Sequence, residues 1–99
     1  MQVKIVIERQ AAPHQEHHAL AIATELRAAA IWQPGYISGE SLIDVNDHTG
    51  LVVISTWRDI EDWKRWEFSE ERINLEKNMV PLLKNPPNIR VCRDLSEDA

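Results

Sequence analysis

The side chains with the greatest capacity for chemistry lie near the middle of the chain, where an apolar run passes into an acidic, tryptophan-bearing segment. Three of the four tryptophans fall there: Trp57, Trp63 and Trp66. Arg58 and Asp59 stand between the two halves of this stretch. A guanidinium at such a junction is able to orient an anionic oxygen, although an arginine beside a helix-capping aspartate is more often a surface residue.

Three histidines form a second candidate group. His14, His17 and His18 have the spacing that brings side chains to one helix face, and imidazoles so placed bind zinc, nickel or copper. A fourth ligand is not evident, because Glu16 faces elsewhere on the helix. We therefore expect a solvated histidine face and no metal site. His48 is expected to be a turn residue.

The elements that position these residues follow from the period of the apolar positions. Alternation predicts a first strand over residues 2–9, and apolar spacings of three and four predict a helix from Pro13 to Trp32. A hairpin then joins strands over residues 36–45 and 51–57. Its reversing turn lies at residues 46–50, which have the types that turns prefer.

Two further helices are predicted after the hairpin. Asp59 caps one that runs to Glu67, and Ser69 begins another that Pro81 should kink or stop. One side of this last helix is marked by apolar residues: Ile73, Val80 and Leu83.

The remaining residues predict a final strand and a short tail. The strand covers residues 88–95, and the acidic tail covers residues 96–99, so residues 1–95 form a single domain. Cys92, the one cysteine, is expected to be a buried, inert thiol in that strand. The order β-α-β-β-α-β is the ferredoxin-like arrangement, an α+β fold with one antiparallel sheet and its helices on a single face.

The third strand has apolar side chains on both of its faces. Leu51, Val53 and Trp57 point one way, whereas Val52 and Ile54 point the other way. One face packs against the helices, and the apolar side chains of the second face need another surface that shields them from water. We therefore predict a homodimer in which two chains close their open sheet faces against each other.

Charge and composition exclude several classes of partner. The chain has 11 basic and 16 acidic residues, a net charge of -5, and no basic stripe, so we expect no nucleic-acid partner. No apolar stretch approaches the roughly 20 residues that cross a bilayer, and the chain begins with an alternating strand in place of an export signal. We expect a cytoplasmic protein without a membrane partner.

Three segments of the chain have the motif pattern of a known protein family: Gly35-Tyr36-Ile37-Ser38-Gly39-Glu40, Val53-Ile54-Ser55-Thr56-Trp57-Arg58, and Trp63-x-x-Trp66-x-x-Ser69-Glu70-Glu71-Arg72. They resemble the antibiotic biosynthesis monooxygenase domain family, and the resemblance extends over nearly the whole chain. The family is known for ferredoxin-like dimers called dimeric α/β barrels. The resemblance therefore implies the same fold as the patterning.

The resemblance also implies a function, that of a cofactor-independent monooxygenase. Such enzymes oxidise a small phenolic or quinol-like substrate that itself supplies the electron to oxygen, so the protein must bind the substrate, help to remove its proton and exclude water. The implied cavity lies between the helices and the sheet, with Trp57, Trp63 or Trp66 as walls. Its polar members are Glu8, as a catalytic base beside Trp66, or Arg58. The tryptophans would also pack in the hydrophobic core if they had no catalytic role.

Two other functions are compatible with the same fold. A non-catalytic dimeric α/β barrel would bind a small apolar ligand or serve in a stress response, and a cavity filled by tryptophan rings would favour it. The haem-degrading branch of the family has an asparagine, a tryptophan and a histidine at the positions of Glu8, Trp66 and Glu76. Only the tryptophan matches, and no axial ligand for haem iron is evident, so haem is not expected.

Overall fold

The sheet of the computed structural model, which describes residues 1–98, has four antiparallel strands. They are β1 (Val3–Gln10), β2 (Tyr36–Ile43), β3 (Gly50–Trp57) and β4 (Asn88–Cys92), in the spatial order β2-β3-β1-β4. The two central strands, β1 and β3, are paired from Val3 opposite Trp57 to Gln10 opposite Gly50. Chain neighbours β2 and β3 form the predicted hairpin.

Three α-helices cover one face of this sheet. They are α1 (Glu16–Ala30), α2 (Ile60–Glu67) and α3 (Glu70–Met79), and single 3-10 turns follow at Val80–Leu82 and Leu95–Asp98. The α+β, ferredoxin-like architecture predicted from the sequence is confirmed. Among residues 1–98, no helix is long and apolar enough to cross a membrane.

The hydrophobic core lies between the helices and the sheet. The α1 helix presents mostly small residues to the sheet, which lets the two layers approach closely: Ala19, Ala23, Leu26 and Ala30 are buried. Two large side chains from the sheet, Ile5 and Trp57, are fully buried beneath them. Burial of the Trp57 ring alone contributes on the order of 3 kcal/mol.

The helix caps follow the sequence signals. The Asp59 carboxylate accepts a hydrogen bond from the Asp62 amide at 3.1 Å, and the Ser69 hydroxyl accepts one from the Arg72 amide at 3.2 Å. Pro81 lies in the 3-10 turn directly after α3, where the helix was predicted to stop. These caps and breakers act locally, so the sequence alone indicates them.

Several predicted boundaries are wrong. The first helix begins at Glu16 and not at Pro13, because His14 adopts a left-handed conformation with φ of 66° and closes a turn before the helix. The helix also ends at Ala30, before Trp32. Strand β4 ends at Cys92, three residues before the predicted Leu95.

The buried side of α3 also differs from the prediction. Ile73 and Val80 are exposed, whereas Arg72 and Met79 are buried. Leu75 and Glu76 are half-buried on the same side, since residues three, four and seven apart share a helix face. The stripe that faces the protein interior therefore includes two charged residues.

The second face of the sheet is uncovered in the single chain. Val6, Val52 and Ile54 are half-buried on it, and Leu42 is exposed beside them. Cys92 is exposed, so the prediction of a buried thiol is wrong for the single chain. Of the predicted acidic tail, Ala99 lies outside the described residues.

Candidate functional site

A cavity of about 40 Å³ lies between the helices and the sheet, where the sequence resemblance placed a site. Every strand and helix except β4 contributes to its lining. Its aromatic walls are Tyr36, Trp57, Trp63 and Trp66, and its buried charged members are Arg9 and Arg72.

The aromatic rings are held in a fixed arrangement. The Trp57 ring meets the rings of Tyr36 and Trp63 edge-on, at centroid distances of 5.4 and 5.8 Å. The Trp57 indole N–H donates to the Ser55 hydroxyl at 3.0 Å. Edge-to-face packing is the preferred geometry of aromatic pairs, so the core itself positions the wall of the cavity.

Two arginines share one carboxylate beside these rings. The Glu76 Oε1 atom accepts from Arg9 Nη2 at 2.5 Å and lies 3.3 Å from Arg72 Nη2. The side chains of Arg9, Arg72 and Glu76 are only 3, 9 and 17% exposed. Two guanidinium charges and one carboxylate give this cluster a net charge of +1, and the half-buried Glu67 carboxylate adds a weaker attraction for Arg72.

The local contacts hold the arginines without neutralising them. The Arg72 guanidinium carbon lies 5.2 Å from the centroid of the Trp63 ring, a cation-π contact. Burial lowers the pKa of Arg72, but a guanidinium stays protonated at any physiological pH. The Arg9 Nε atom is buried and has no hydrogen-bond partner among residues 1–98.

The lining of the cavity includes exposed side chains on α1 and β2. Arg27 of α1 is exposed and donates to the Gly39 carbonyl at 2.8 Å and to the Ser41 hydroxyl at 3.5 Å. The exposed Glu40 belongs to the same lining. An exposed, hydrogen-bonded side chain therefore links α1 to β2 beside the cavity.

The predicted polar site residues lie away from this cavity. Glu8 is on the opposite face of the sheet, where it forms an ion pair with Arg90. Arg58 is two-thirds exposed and donates two 3.0 Å hydrogen bonds to Asp62. Those bonds lower the pKa of Asp62 and raise that of Arg58, so this pair stabilises the start of α2. The structure thus brings Trp57, Trp63 and Trp66 together but brings neither Glu8 nor Arg58 to them.

The charged residues that do reach the cavity were missed by sequence reasoning. Arg9 lies two residues beyond Ile7 in β1, and so on the same face as the apolar residues of that strand. Arg72 and Glu76 lie in the stripe with Leu75 and Met79. These periodicities are visible in the sequence, but a charged residue in an apolar stripe is usually predicted to lie on the solvent-exposed surface.

The histidine group does not form a metal site in the structure. His17 and His18 are exposed on α1, and His14 lies before the helix starts. His18 pairs instead with the Gln15 side chain at 3.0 Å. Within the described part of the chain, no three His, Cys, Asp or Glu side chains are placed to hold a metal ion.

Solved structures from several organisms have the same fold. A Mycobacterium tuberculosis protein superposes with a TM-score of 0.89 at 16% identity, over 100% of both chains. A conserved protein of Methanosarcina mazei gives 0.89 at 14% identity, over 95% of this chain and 93% of its own. SnoaB of Streptomyces nogalater, described as a cofactor-independent oxygenase, gives 0.86 at 14% identity over 95% and 93%.

The sequence itself was compared with known families and with curated proteins. No curated protein matches it. The profile described as "Antibiotic biosynthesis monooxygenase" matches residues 2–74, a range that contains β1, α1, the β2–β3 hairpin and α2. That range holds the whole cavity lining, including all of its aromatic walls. The chain therefore belongs to the antibiotic biosynthesis monooxygenase family.

Proposed function

We propose that the protein is a cofactor-independent monooxygenase that oxidises a small phenolic or quinol-like substrate at the tryptophan-lined cavity. The observation that carries the proposal is that aromatic side chains and two buried arginines line the same cavity. Aromatic surface suits a flat ring, and the arginines suit an oxygen substituent that gains negative charge. The family of the chain supports the type of reaction.

The proposed reaction needs only the substrate and dioxygen. A phenol with a free ring position and O2 give a quinone and water: one oxygen atom enters the ring, and the other leaves with the hydroxyl and ring hydrogens. The aromatic substrate is oxidised and dioxygen is reduced. The protein has to bind the ring, favour loss of its proton and keep bulk water away.

The size of the cavity limits how a ring can bind. Engineered cavities that hold benzene measure about 150 Å³, whereas this one measures about 40 Å³. A ring therefore enters only when side chains at the entrance move, and Arg27, held to β2 by surface hydrogen bonds, is the simplest one to displace. We propose that the space between α1 and β2 is the substrate entrance.

The small volume also supports a second candidate function. If the tryptophan rings remain packed as they are, the chain would serve as a non-catalytic barrel that binds a small ligand. A cavity of about 40 Å³ has room for a water molecule or a small polar group without any movement. Turnover measurements distinguish the two candidates.

We expect the purified, metal-free protein to catalyse oxygen uptake with at least one member of a panel of hydroquinones and polyphenols. Boiled protein controls for spontaneous oxidation. In the Trp66→Phe variant, turnover should fall by about tenfold or more, a larger proportional loss than the loss of stability, because a smaller ring loses substrate contacts at a wall that stays apolar. The matched control is Trp32→Phe, since Trp32 is 84% exposed and does not line the cavity.

Two results would count against the enzyme. No uptake above the boiled control across the panel would favour the ligand-binding barrel. Equal proportional losses of turnover and stability in Trp66→Phe would assign that residue to core packing alone.

We also propose that the protein is a homodimer that closes through its uncovered sheet face. Val6 and Ile54 are directly opposite each other at the centre of that face, and Val52 and Leu42 extend the apolar surface. Two of its charges are already paired or bonded within the chain, Glu8 with Arg90 and Lys4 with Thr56 at 2.9 Å, and Glu40, opposite Ile54, is exposed on the edge strand β2. A second copy that covers the face therefore leaves Glu8 and Lys4 with their partners, and Glu40 lies toward the edge of the proposed interface.

Sedimentation at micromolar concentration should show a dimer of the 99-residue chain. Ile54→Lys should yield monomers, because it places a charge at the centre of the proposed interface. Ala21→Lys, an exposed change on α1, is the matched control and should remain dimeric. A wild-type monomer at this concentration would contradict the proposed homodimer.

A further inference from the structure

We propose that Arg9, Arg72 and Glu76 form an anion-binding site, so that the protein binds an acidic phenol or enol as its anion. This inference deepens the proposed function, because it states the ionisation state of the bound substrate. It concerns binding, however, and it can be tested without any turnover.

The first argument is the charge of the cluster. One carboxylate oxygen is shared by two guanidinium groups, at 2.5 and 3.3 Å. Glu67 attracts Arg72 more weakly, and buried positive charge in excess of the paired carboxylate is costly in a medium of low dielectric constant. An anionic ligand supplies the missing negative charge, and a neutral ligand or a water molecule does not.

The second argument is an unsatisfied donor. The Arg9 side chain is only 3% exposed, and its Nε atom has no acceptor within the described chain. A buried N–H without an acceptor costs on the order of 1–3 kcal/mol. Because Arg9 lines the cavity, a ligand oxygen placed there can accept this hydrogen bond.

The third argument is the shape and polarity of the surroundings. The arginines are the buried charged groups of a lining that is otherwise dominated by aromatic and aliphatic side chains. Trp63 fixes Arg72 from one side by the cation-π contact. A ligand with a flat apolar body and one anionic oxygen matches this division, whereas inorganic anions would leave the aromatic walls unused.

The site would also explain how a substrate is deprotonated although Glu8 lies on the other face of the sheet. Binding of the anion lowers the pKa of the bound phenol, since opposite charges nearby favour the ionised form. The O–H bond breaks, its electron pair stays on the oxygen, and the proton leaves to water. A phenolate gives up an electron more readily than a phenol, which is the step that the proposed reaction needs.

The experiment measures the binding of 4-nitrophenol, whose phenolate has its own visible absorption band, and of its methyl ether 4-nitroanisole, which cannot ionise. We expect the wild-type protein to bind the phenolate at least about tenfold more tightly than the ether. Difference spectra across neutral pH should show a lowered apparent pKa for the bound nitrophenol.

Variants then change the cluster charge in steps. Arg72→Met leaves Arg9 paired with Glu76, a net charge of zero, and should abolish the preference for the phenolate. Glu76→Gln keeps an acceptor for Arg9 but raises the net charge to +2, and should strengthen phenolate binding by about tenfold. Lys77→Met removes an exposed charge from the same helix and should leave the preference unchanged.

The order of phenolate affinity across these variants decides the matter. Equal binding of phenolate and ether by the wild type, or no binding of the phenolate, would overturn the inference. So would an unchanged preference in folded Arg72→Met, which decides the question even if Glu76→Gln is too unstable to purify. Phenolate affinity that follows the cluster charge, without oxygen uptake, would uphold the anion site and reject the oxygenase. Oxygen uptake with a phenolate affinity that does not follow the cluster charge would uphold the oxygenase and reject the anion site.

Discussion

Replacing Gly35 with alanine is expected to destabilise the protein by about 3 kcal/mol or more, measured by urea unfolding. Gly35 has a φ of +86°, where a side chain strains the backbone. An added Cβ would also lie 2.3 Å from the Asp62 carboxyl carbon and from Oδ2. Asp62 cannot easily move, because it is buried and bonded to Arg58 and Arg65 at 3.0 Å.

Two further variants separate backbone strain from steric overlap. Gly35→Asn should be nearly as unstable as Gly35→Ala, since asparagine tolerates a positive φ but brings the same Cβ. Gly50→Ala is the matched control: its Cβ would meet the Asp47 carbonyl oxygen at 3.2 Å, and its φ is not in the left-handed region. A loss below about 1 kcal/mol in Gly35→Ala would show that α2 shifts freely.

The position of Gly35 also links stability to the cavity. Its carbonyl accepts from the Arg58 amide at 2.7 Å, so the turn before β2 is tied to the end of β3. Tyr36, which begins β2, and Trp57, which ends β3, are walls of the cavity. A shift of this turn would therefore be expected to disturb the wall as well as the fold.

Local signals explain why much of the fold could be predicted from the sequence. Asp59, Ser69 and Pro81 act within one turn of chain, and the alternation in β1 and β3 follows directly from the pleat. The failure at the start of α1 has a physical reason as well. Pro13 suits a first helical turn, but the left-handed conformation of His14 delays the helix, and a histidine adopts that conformation too rarely to signal it.

The candidate site was harder to predict because its polar part contradicts the usual rule for charged residues. The exposed Ile73 and Val80 suggested the wrong inner side for α3. The true inner stripe carries Arg72 and Glu76, and charged residues are rarely buried unless they are paired. Their partner, Arg9, is on a strand more than sixty residues earlier in the chain, and one sequence gives no sign of that pairing.

Removing the shared carboxylate should therefore have a large effect on stability. Glu76→Met removes the carboxylate that both buried guanidinium groups contact, and breaking such a pair typically costs about 3–5 kcal/mol. Urea unfolding near neutral pH measures the loss. The Glu67 carbonyl, 3.5 Å from Arg72 Nη1, is too weak an acceptor to replace a carboxylate.

A second substitution tests whether charge is the cause. In the double variant Arg9→Met, Glu76→Met the cluster regains its wild-type net charge of +1, carried by Arg72 against the Trp63 ring. Because well-packed apolar side chains often replace a buried ion pair at little cost, we expect at least half of the lost stability to return. Additive losses in the double variant would mean that the side chains matter through packing volume, and the charge argument for the cavity would lose its energetic basis.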